Sequence, residues 1–331
     1  EEVFAYLSVG NETYLNNAKS DIENYSPSAT DGEFGHYIIA SAIVKMLDPS
    51  FNELERLADF AVNRQQANGL WDTGNGKCWP HYASRIVEGL LWAYKLTGNE
   101  KYLNSAKKYL DKIEEIRQNN DGLIPLEINL DGSISNAESK YYDQNGTHIA
   151  LNYFVYELTG DETYLNRAKS MIDTVVSKLW DGNAFKYRTT DNLYEIELSW
   201  FDPILWMINY SVDKANADFL YRVLDKDKGT AYSDGHLYGL EVSNDLVKHA
   251  VYTDGSDYSN HQSLFHVNKA VPIALLYYSI ANNVDLWANI ENAIKVLERH
   301  RKDNGYIIAI DPYSFAPDSY NPNPSHRDGF I

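Results

Sequence analysis

The segment Gly98-Asn99-Glu100-Lys101-Tyr102-Leu103-Asn104-Ser105-Ala106-Lys107 decides the fold, because closely similar segments begin at Gly10 and Gly160. In each copy the Gly suits the left-handed position just past a helix end, and the Asn or Asp after it suits the N-cap of a following helix. The next residue is Glu, whose charge is favoured by the helix dipole in a first turn. The repeated segment therefore predicts the tight corner of a helical hairpin.

Apolar residues recur at helical spacing behind these corners. Residues three and four apart lie on one face of a helix, so such a stripe indicates a helix that packs against a core. The stripes are Tyr102, Leu103, Ala106, Tyr109, Leu110 and Ile113 after Gly98, and Tyr164, Leu165, Ala168, Ile172, Val175 and Leu179 after Gly160.

The same periodicity divides the chain into six helix pairs. The first helix of each pair is apolar nearly all round, and the second is amphipathic. A helix without a polar face must be covered on several sides, so we expect the first helices to form an inner ring and the second helices an outer ring. The predicted pairs are 1–9 with 11–24, 36–47 with 51–66, 81–96 with 100–117, 146–158 with 162–179, about 202–212 with 215–225, and 262–282 with 285–302.

The composition argues against several classes of partner and cofactor. A net charge of −18 argues against nucleic acid and against an anionic membrane surface, and no apolar run is long enough for membrane insertion. Cys78 is the only cysteine, so neither an intramolecular disulfide nor a cysteine metal cluster is predicted. The nine His show no His-x-x-x-His spacing with a helping carboxylate, so no metal and no other cofactor is predicted.

Three features bear on location and assembly. Sequons at Asn11, Asn145 and Asn209 indicate an extracellular or cell-surface glycoprotein, although they leave a cytoplasmic location open. The chain begins at Glu1 inside the first predicted helix, so we expect a preceding segment, self-association or another partner to cover the incomplete first hairpin. Four prolines in residues 311–331 predict an extended C-terminal tail.

These features resemble the six-hairpin (α/α) toroid that many carbohydrate-active enzymes share. The resemblance rests on the alternating helices, on the Thr-Gly-Asn and Thr-Gly-Asp corners at Asn99 and Asp161, and on the long glycine-rich loops. It implies an all-α (α/α)6 toroid over residues 1–310 as a single domain, with the first hairpin incomplete. Glycoside hydrolases, polysaccharide lyases and sugar epimerases use such toroids, so the resemblance implies a carbohydrate substrate or ligand but not one reaction.

Short corners at one end of a toroid bring the long loops together at the other end. Those loops carry many polar and aromatic residues, and function is typically found on loops held by a rigid scaffold. Because aromatic rings stack on sugars and carboxylates accept hydroxyl hydrogen bonds, we expect a sugar-binding cleft there. The alternative for each ring is packing between helices. The predicted substrate-binding residues are His36, Trp71, Trp79, Arg85, Tyr142, Asn145, His148, Trp200, Asp202, Tyr258 and Asn260.

Hydrolysis of a glycosidic bond requires two carboxyl groups, one as proton donor and one as nucleophile or base. Asp143, just before an inner helix, is the first candidate, and Asp72, beside a Trp and a glycine-rich loop, is the second. Asp202 and Asp31 are further candidates. Each could instead cap a helix or a turn. The position of Asp143 resembles that of an Asp in unsaturated glucuronyl hydrolases. The Arg-Gly-Asn-Gly-Trp signature of those enzymes is absent, and residues 74–77 match only a fragment of it.

Proton abstraction beside a uronic acid carboxylate is the rival mechanism. It requires a base, commonly His or Tyr, and an amide or Arg that neutralises the carboxylate. Toroidal uronate lyases use such residues, D-glucuronyl C5-epimerases have the same needs, and sugar 2-epimerases of the N-acylglucosamine type use paired His. The sets that resemble them are His81, Tyr82 and Arg85 in one loop–helix junction, and Tyr258, Asn260 and His261 in another.

The sequence thus favours glycosidic-bond cleavage by paired carboxylates, by a small margin over a uronate lyase or C5-epimerase. A non-catalytic glycan-binding or structural toroid is a third interpretation, in which the loop residues only bind or pack. Geometry distinguishes the three. A hydrolase should place two carboxyl groups about 5 to 10 Å apart, and a lyase or epimerase should place a His or Tyr beside an Asn or Arg. The predicted catalytic residues are Asp143, Asp72, His81, Tyr82 and His261.

Overall fold

A computed structural model of the protein describes residues 12–180, 186, 188–190, 193–195, 250–252, 285, 287 and 291, with 141–143, 193–195 and 250–252 described by their backbone only. The chain forms two compact units, Glu1–Thr174 and Val175–Ile331. The helix pairs predicted at 202–225 and 262–302, the segment 1–9 and the tail 311–331 lie outside the described residues, apart from isolated positions. The single-domain organisation over 1–310 stays a prediction.

Between residues 12 and 180 the elements follow the predicted order, and most bounds agree within two residues. There are two differences. The helix predicted from 36 begins at 32, and the helix predicted from 146 is preceded by a π-helix that begins at 141. The elements are α1 (Glu12–Asn24), α2 (Gly32–Leu47), α3 (Glu53–Arg64), α4 (Pro80–Thr97), α5 (Glu100–Gln118), the π-helix (Tyr141–Gly146), α6 (Thr147–Thr159) and α7 (Glu162–Leu179).

The repeated corner has the predicted geometry in both described copies. Gly98 and Gly160 each have a φ of 70°, the left-handed conformation that residues with a side chain disfavour. Asn99 accepts a hydrogen bond at 3.3 Å from the backbone N–H two residues on. Asp161 accepts the equivalent bond at 3.1 Å. Each corner therefore ends one helix and begins the next, as predicted.

The first helices of the hairpins, α2 and α4, pack closely and run parallel. A Cβ on Gly35 would lie 2.6 Å from the Cβ of Arg85, near the start of α4. Farther along both helices, a Cβ on Gly89 would lie 2.6 Å from the Cβ of Ile38. The two backbones approach this closely because glycines stand at the crossing points.

The helices α4 and α6 are also parallel neighbours. At their starts, the hydroxyl of Tyr109 lies 3.4 Å from the carbonyl oxygen of Pro80 and 3.0 Å from Nε2 of His148. Toward their ends, the rings of Trp92 and Phe154 lie 5.0 Å apart. The N-terminal ends of α2, α4 and α6 therefore lie on one side of the first unit, where the long connections enter.

The second helices of the hairpins form a separate parallel row. Each makes side-chain contacts with the next in rising order along both sequences, which indicates a parallel arrangement. The contacts are Tyr102–Asp59 at 2.8 Å and Ser105–Gln65 at 2.8 Å between α5 and α3, and Lys107–Asp161 at 3.0 Å and Arg117–Ser170 at 3.5 Å between α5 and α7.

The apolar stripes face the core of these two rows. Every member of the stripe predicted on α5 is buried, and on α7 Leu165 is half-buried while the other members are buried. Burial of such side chains supplies the main favourable term in folding. The core side of each amphipathic helix was therefore predicted correctly from its period.

Short strands lie in the long connections. β1 (Lys77–Cys78), β2 (Glu127–Asn129) and β3 (Ile134–Asn136) form an antiparallel sheet in the order β1-β2-β3. In the second unit, β4 (Leu193–Glu195) pairs antiparallel with β5 (Ala250–Tyr252). Among the helices that the structure describes, none is both long and apolar enough to cross a membrane.

Candidate functional site

The start of α4 carries four of the predicted site residues. Pro80 occupies the beginning of the helix, where its fixed φ is suitable and its missing N–H is no loss. The preceding backbone N–H donates to the hydroxyl of Thr73 at 2.7 Å, which fixes the entry of the chain. The residues placed by this helix start are Trp79, His81, Tyr82 and Arg85.

Tyr82 lies at the centre of a cluster of aromatic rings and one guanidinium group. Its ring centroid lies 3.9 Å from that of His81 and 6.3 Å from that of Trp79. The guanidinium carbon of Arg85 lies 5.6 Å from the same centroid. A Cβ on Gly32 would lie 2.5 Å from the Tyr82 ring, so the first turn of α2 lies against the phenol. The structure thus brings His81 and Arg85 together around Tyr82.

His81 is a neutral imidazole in this setting. The ring is half-buried, but its Nδ1 atom is fully enclosed and has no hydrogen-bond partner among the described residues. Burial, with the positive charges of Arg85 and Lys140, lowers the pKa of His81 to about 3. At neutral pH the ring is therefore uncharged, and in this setting it holds a proton weakly.

The π-helix lies beside α4 and forms the second side of the site. Such helices are rare and are frequently found at functional sites. The backbone of Asp143 lies inside it, so Asp143 does not occupy the N-cap position that its sequence also allowed. The side chain of Gln144 is fully buried, and its Oε1 accepts a bond from the Lys140 N–H at 3.3 Å. Its Nε2 has no acceptor in the described part of the chain.

A buried hydrogen-bond chain joins the π-helix to the start of α4. The carbonyl oxygen of Gln144 accepts from Nδ1 of His148 at 2.5 Å, which leaves Nε2 to accept from the Tyr109 hydroxyl at 3.0 Å. Burial lowers the pKa of His148 to about 4, although the bond to Gln144 favours the charged form. The neutral His148 holds the π-helix in place.

Asn145 braces the loop that precedes it. Its side chain is 1% exposed, and Nδ2 donates to the Ser139 hydroxyl at 2.7 Å and to the Lys140 carbonyl at 2.6 Å. Its Oδ1 accepts from the Ile124 N–H at 3.1 Å. Both amide hydrogens are committed inside the protein, so the folded chain offers no access for glycosylation at this sequon.

The loop before β1 carries two further predicted residues. Trp71 is fully buried and its indole N–H donates to the Ala61 carbonyl at 2.8 Å, so this ring packs in the core. Asp72 is exposed, and its Oδ1 accepts from the N–H groups of Gly74 and Gly76 at 3.0 and 3.1 Å. Asp72 therefore stabilises a glycine turn with one of its two oxygens.

Two residues singled out in the sequence lie at the start of α2: Asp31, which caps the helix, and His36. Asp31 accepts a bond from the Phe34 N–H at 3.0 Å and is the N-cap of α2, as the capping interpretation required. His36 follows in the second turn and is half-buried at the same end as Tyr82. The predicted residues that lie outside the described ones are Trp200, Asp202, Tyr258, Asn260 and His261.

Three residues of the site were not predicted. Gln144 stood in a predicted loop between stronger candidates, and Lys140 carries no spacing signal. Periodicity assigned Tyr109 to an apolar stripe, which is correct for its ring but does not locate its hydroxyl. The one sequence signal for Gln144 was its place directly after Asp143, at the start of a predicted inner helix.

Comparison with solved structures shows the fold. The chain is similar to cellobiose 2-epimerase from Bacillus thermoamylovorans B4167, with a TM-score of 0.63 and 12% identity over 89% of this chain and 84% of that chain. It is similar to an unsaturated glucuronyl hydrolase specific for heparin, with a TM-score of 0.56 and 15% identity over 86% and 85%. It is also similar to D-mannose isomerase, with a TM-score of 0.55 and 14% identity over 90% and 84%. No protein-family model and no curated protein sequence matches the chain.

These structures belong to the (α/α)6 toroids, and the chain has the same fold class. The predicted all-α (α/α)6 toroid is therefore confirmed. The parallel row of α2, α4 and α6, with α3, α5 and α7 beside it, is the part of that architecture that the described residues show directly. Within the described part of the chain, no group of three His, Cys, Asp or Glu lies close enough to hold a metal ion.

Proposed function

We propose that this chain is an enzyme acting on a carbohydrate, with its active site at the common N-terminal end of α2, α4 and α6. The proposal is supported by three similar structures that are named for sugar chemistry: an epimerase of cellobiose, a glucuronyl hydrolase and an isomerase of mannose. It is also supported by the half-buried aromatic residues Trp79 and Tyr82 at this end, because aromatic rings with a few polar groups are typical of ligand sites.

The observation that carries the reaction type is the neutral His81 in ring contact with Tyr82, with centroids 3.9 Å apart, one helical turn from Arg85. A neutral imidazole can accept a proton, and a phenol can return one. A guanidinium stabilises negative charge that develops on a nearby oxygen. This set fits the removal of a proton from a sugar carbon next to a carbonyl or carboxylate group, so we place proton abstraction ahead of hydrolysis.

The proposed step is redox-neutral. His81 takes the proton, the electron pair of the C–H bond moves onto the adjacent carbonyl or carboxylate oxygen, and Arg85 offsets the negative charge that forms there. Return of a proton from solvent to the opposite face gives an epimer, and His81 then releases its own proton to solvent. Departure of the glycosidic oxygen from the neighbouring carbon, with a proton from Tyr82, gives an unsaturated sugar and a new reducing end.

Hydrolysis by paired carboxylates is the second candidate, and the position of Asp143 favours it. The backbone of Asp143 lies in the π-helix next to α4, where a proton donor would be required. Asp72 caps its turn through Oδ1 and would act through its other oxygen. In this mechanism one carboxyl protonates the leaving oxygen and the other acts as nucleophile or activates water.

The test is to incubate the full chain with a panel of neutral and uronic oligosaccharides and to read three signals. These are new reducing ends, the ultraviolet absorbance of an unsaturated product, and a change in configuration at a sugar carbon other than the anomeric carbon. Proton abstraction predicts the second or third signal, with loss of that signal in His81→Gln. The matched control is Lys101→Gln, which removes a charge at the exposed short-corner end of α5 and should leave the signal unchanged.

The other outcomes separate the alternatives. New reducing ends without unsaturation and without a change at a non-anomeric carbon, abolished by Asp143→Asn but kept by His81→Gln, would establish hydrolysis. Binding of a sugar with none of the three signals would establish a non-catalytic toroid. Neither binding nor turnover of any sugar would reject the carbohydrate proposal.

A further inference from the structure

The N-cap of α4 is Trp79, whose side chain makes no capping hydrogen bond. Ser, Thr, Asp and Asn are preferred at this position because their side-chain oxygens accept from the first turn, and an indole has no such oxygen. The Trp79 ring is half-buried, whereas Trp71 in the same loop is fully buried. Helix capping therefore does not explain this ring, and core packing explains only part of it.

Thr73 holds the backbone that carries the ring. Its hydroxyl accepts from the Trp79 N–H at 2.7 Å. The Trp79 carbonyl oxygen accepts from the N–H groups of Tyr82 and Ala83 at 2.9 and 3.0 Å. Thr73 is 2% exposed, so bulk water cannot replace its hydroxyl. The Trp79 backbone is thus fixed on both sides, and the direction of the indole follows from its side-chain rotamer.

The glycine turn in turn holds Thr73. The Thr73 N–H donates to the Lys77 carbonyl oxygen at 2.9 Å, across the turn that Asp72 stabilises. A second buried hydroxyl, that of Thr30, donates to the Asp72 carbonyl oxygen at 2.7 Å and joins the turn to the loop before α2. Thr30 is 4% exposed. The two threonines therefore match in burial and in hydrogen-bond length, but only Thr73 binds the residue that carries the indole.

We propose that Thr73 is a positioning residue, which directs the Trp79 ring so that a sugar ring of the substrate packs on its face. This inference rests on the proposed function and adds a binding position beside His81. The rings of Trp79 and His81 both lie near that of Tyr82, with centroids 6.3 and 3.9 Å away. A sugar packed on the indole thus lies close to the imidazole. An aromatic face binds the C–H face of a sugar through apolar contact, so Thr73 contributes to affinity rather than to the chemical step.

The first test follows the Trp79 ring by fluorine NMR of the full chain labelled with fluorotryptophan. Among the seven tryptophans, the Trp79 signal is the one lost in Trp79→Leu. Thr73→Val should shift or broaden that signal, and Thr73→Ser, which keeps the hydroxyl, should restore it. Thr30→Val is the matched control and should leave it unchanged. Thr73→Ala keeps the test available if Thr73→Val fails to fold. An unchanged Trp79 signal in the variants without the hydroxyl would overturn the positioning role.

The second test measures what the position of the ring does for the substrate. The probes are the oligosaccharides of the neutral and uronic panel, with Kd measured by calorimetry and with KM and kcat measured from the sugar signals. For an oligosaccharide that the wild type binds, Thr73→Val and Trp79→Leu should each raise Kd and KM about 5- to 10-fold, the effect of losing one favourable contact. The kcat should stay near the wild-type value. Thr73→Ser and Thr30→Val should keep the wild-type Kd.

A double variant shows whether Thr73 acts through the ring. If it does, Thr73→Val/Trp79→Leu binds the oligosaccharide no more weakly than Trp79→Leu alone. If the two losses multiply instead, Thr73 acts on binding by a route that does not need the indole, and the inference is overturned.

The outcomes distinguish this inference from the proposed function. Turnover that depends on His81, with the same Kd in wild type, Thr73→Val and Trp79→Leu, would overturn the inference and keep the proposed reaction. Binding that depends on Thr73 and Trp79, without turnover of any sugar, would support the inference and refute the enzyme. Binding of no oligosaccharide would reject both the sugar-binding face and the carbohydrate proposal.

Discussion

Removing the Tyr109 hydroxyl tests whether the buried chain between α4 and the π-helix stabilises the site. The variant Tyr109→Phe keeps the ring, whose centroid lies 5.4 Å from that of Trp71, and removes the donor that lies 3.0 Å from Nε2 of His148. Tyr109 and His148 are both 0% exposed, so bulk water cannot replace the hydroxyl. An unpaired buried acceptor lowers the free energy of unfolding by about 1–3 kcal/mol.

The assay is urea unfolding at neutral pH. The midpoints are compared between variants whose free energy of unfolding has the same dependence on urea concentration. The matched control is Tyr102→Phe on the same helix, because the Tyr102 hydroxyl donates at 2.8 Å to a carboxylate of Asp59 that is 44% exposed. Water can replace that bond, so the control should lose less than about 1 kcal/mol. Equal losses in the two variants would refute the reasoning, as would a double variant Tyr109→Phe/His148→Leu that loses the sum of the single losses.

Three further predictions concern the packing, the pH dependence and the turn. Gly89→Ala should lower the free energy of unfolding by about 1–3 kcal/mol, because its Cβ would overlap Ile38; the background Ile38→Gly, which lacks both overlapping atoms, should remove most of that loss, and a wild-type urea midpoint would contradict the contact. Burial holds the pKa of His148 at about 4, below the unfolded value of about 6.5, so the unfolded chain binds the proton first. The contribution of His148 to stability should therefore be complete above pH 6.5 and fall by about 1.4 kcal/mol per unit between pH 6.5 and 4, in addition to the loss from His81, whose pKa is lowered as well; urea midpoints across this range should show a smaller slope in His148→Gln, and an unchanged slope would contradict the burial. Asp72→Asn keeps Oδ1 for the glycine turn and should retain activity in the sugar panel, whereas a loss of more than about 100-fold with an unchanged midpoint would favour carboxylate catalysis.

The helical hairpins could be predicted because their signals are local. Gly98 and Asn99 specify a helix end and a helix start within two residues, and the stripe that follows fixes the buried face. The start of α6 could not be predicted in the same way. The π-helix is held by side chains at specific places, including the bond from His148 to the carbonyl of Gln144, and hydrophobic periodicity carries no signal for such bonds.

The positions of the candidate site residues could be predicted in part. His81 and Arg85 are four residues apart on one helix, so their proximity follows from the helical repeat. Trp71 looked equivalent to Trp79 in sequence, because both stand in the same glycine-rich loop. Only the fold distinguishes them: the Trp71 indole reaches the Ala61 carbonyl inside the core, whereas Trp79 stays half-buried at the start of α4.

The central claim is tested most directly by measuring whether His81 exchanges a proton that is bound to a sugar carbon. The full chain and His81→Gln are incubated in D2O with each oligosaccharide of the neutral and uronic panel, and the recovered sugars are analysed by mass spectrometry and NMR. The account predicts deuterium at the carbon next to the carbonyl or carboxylate group, or an unsaturated product formed by loss of that proton, with both abolished in His81→Gln. Cleavage of the oligosaccharide with neither signal, and at an undiminished rate in His81→Gln, would contradict it.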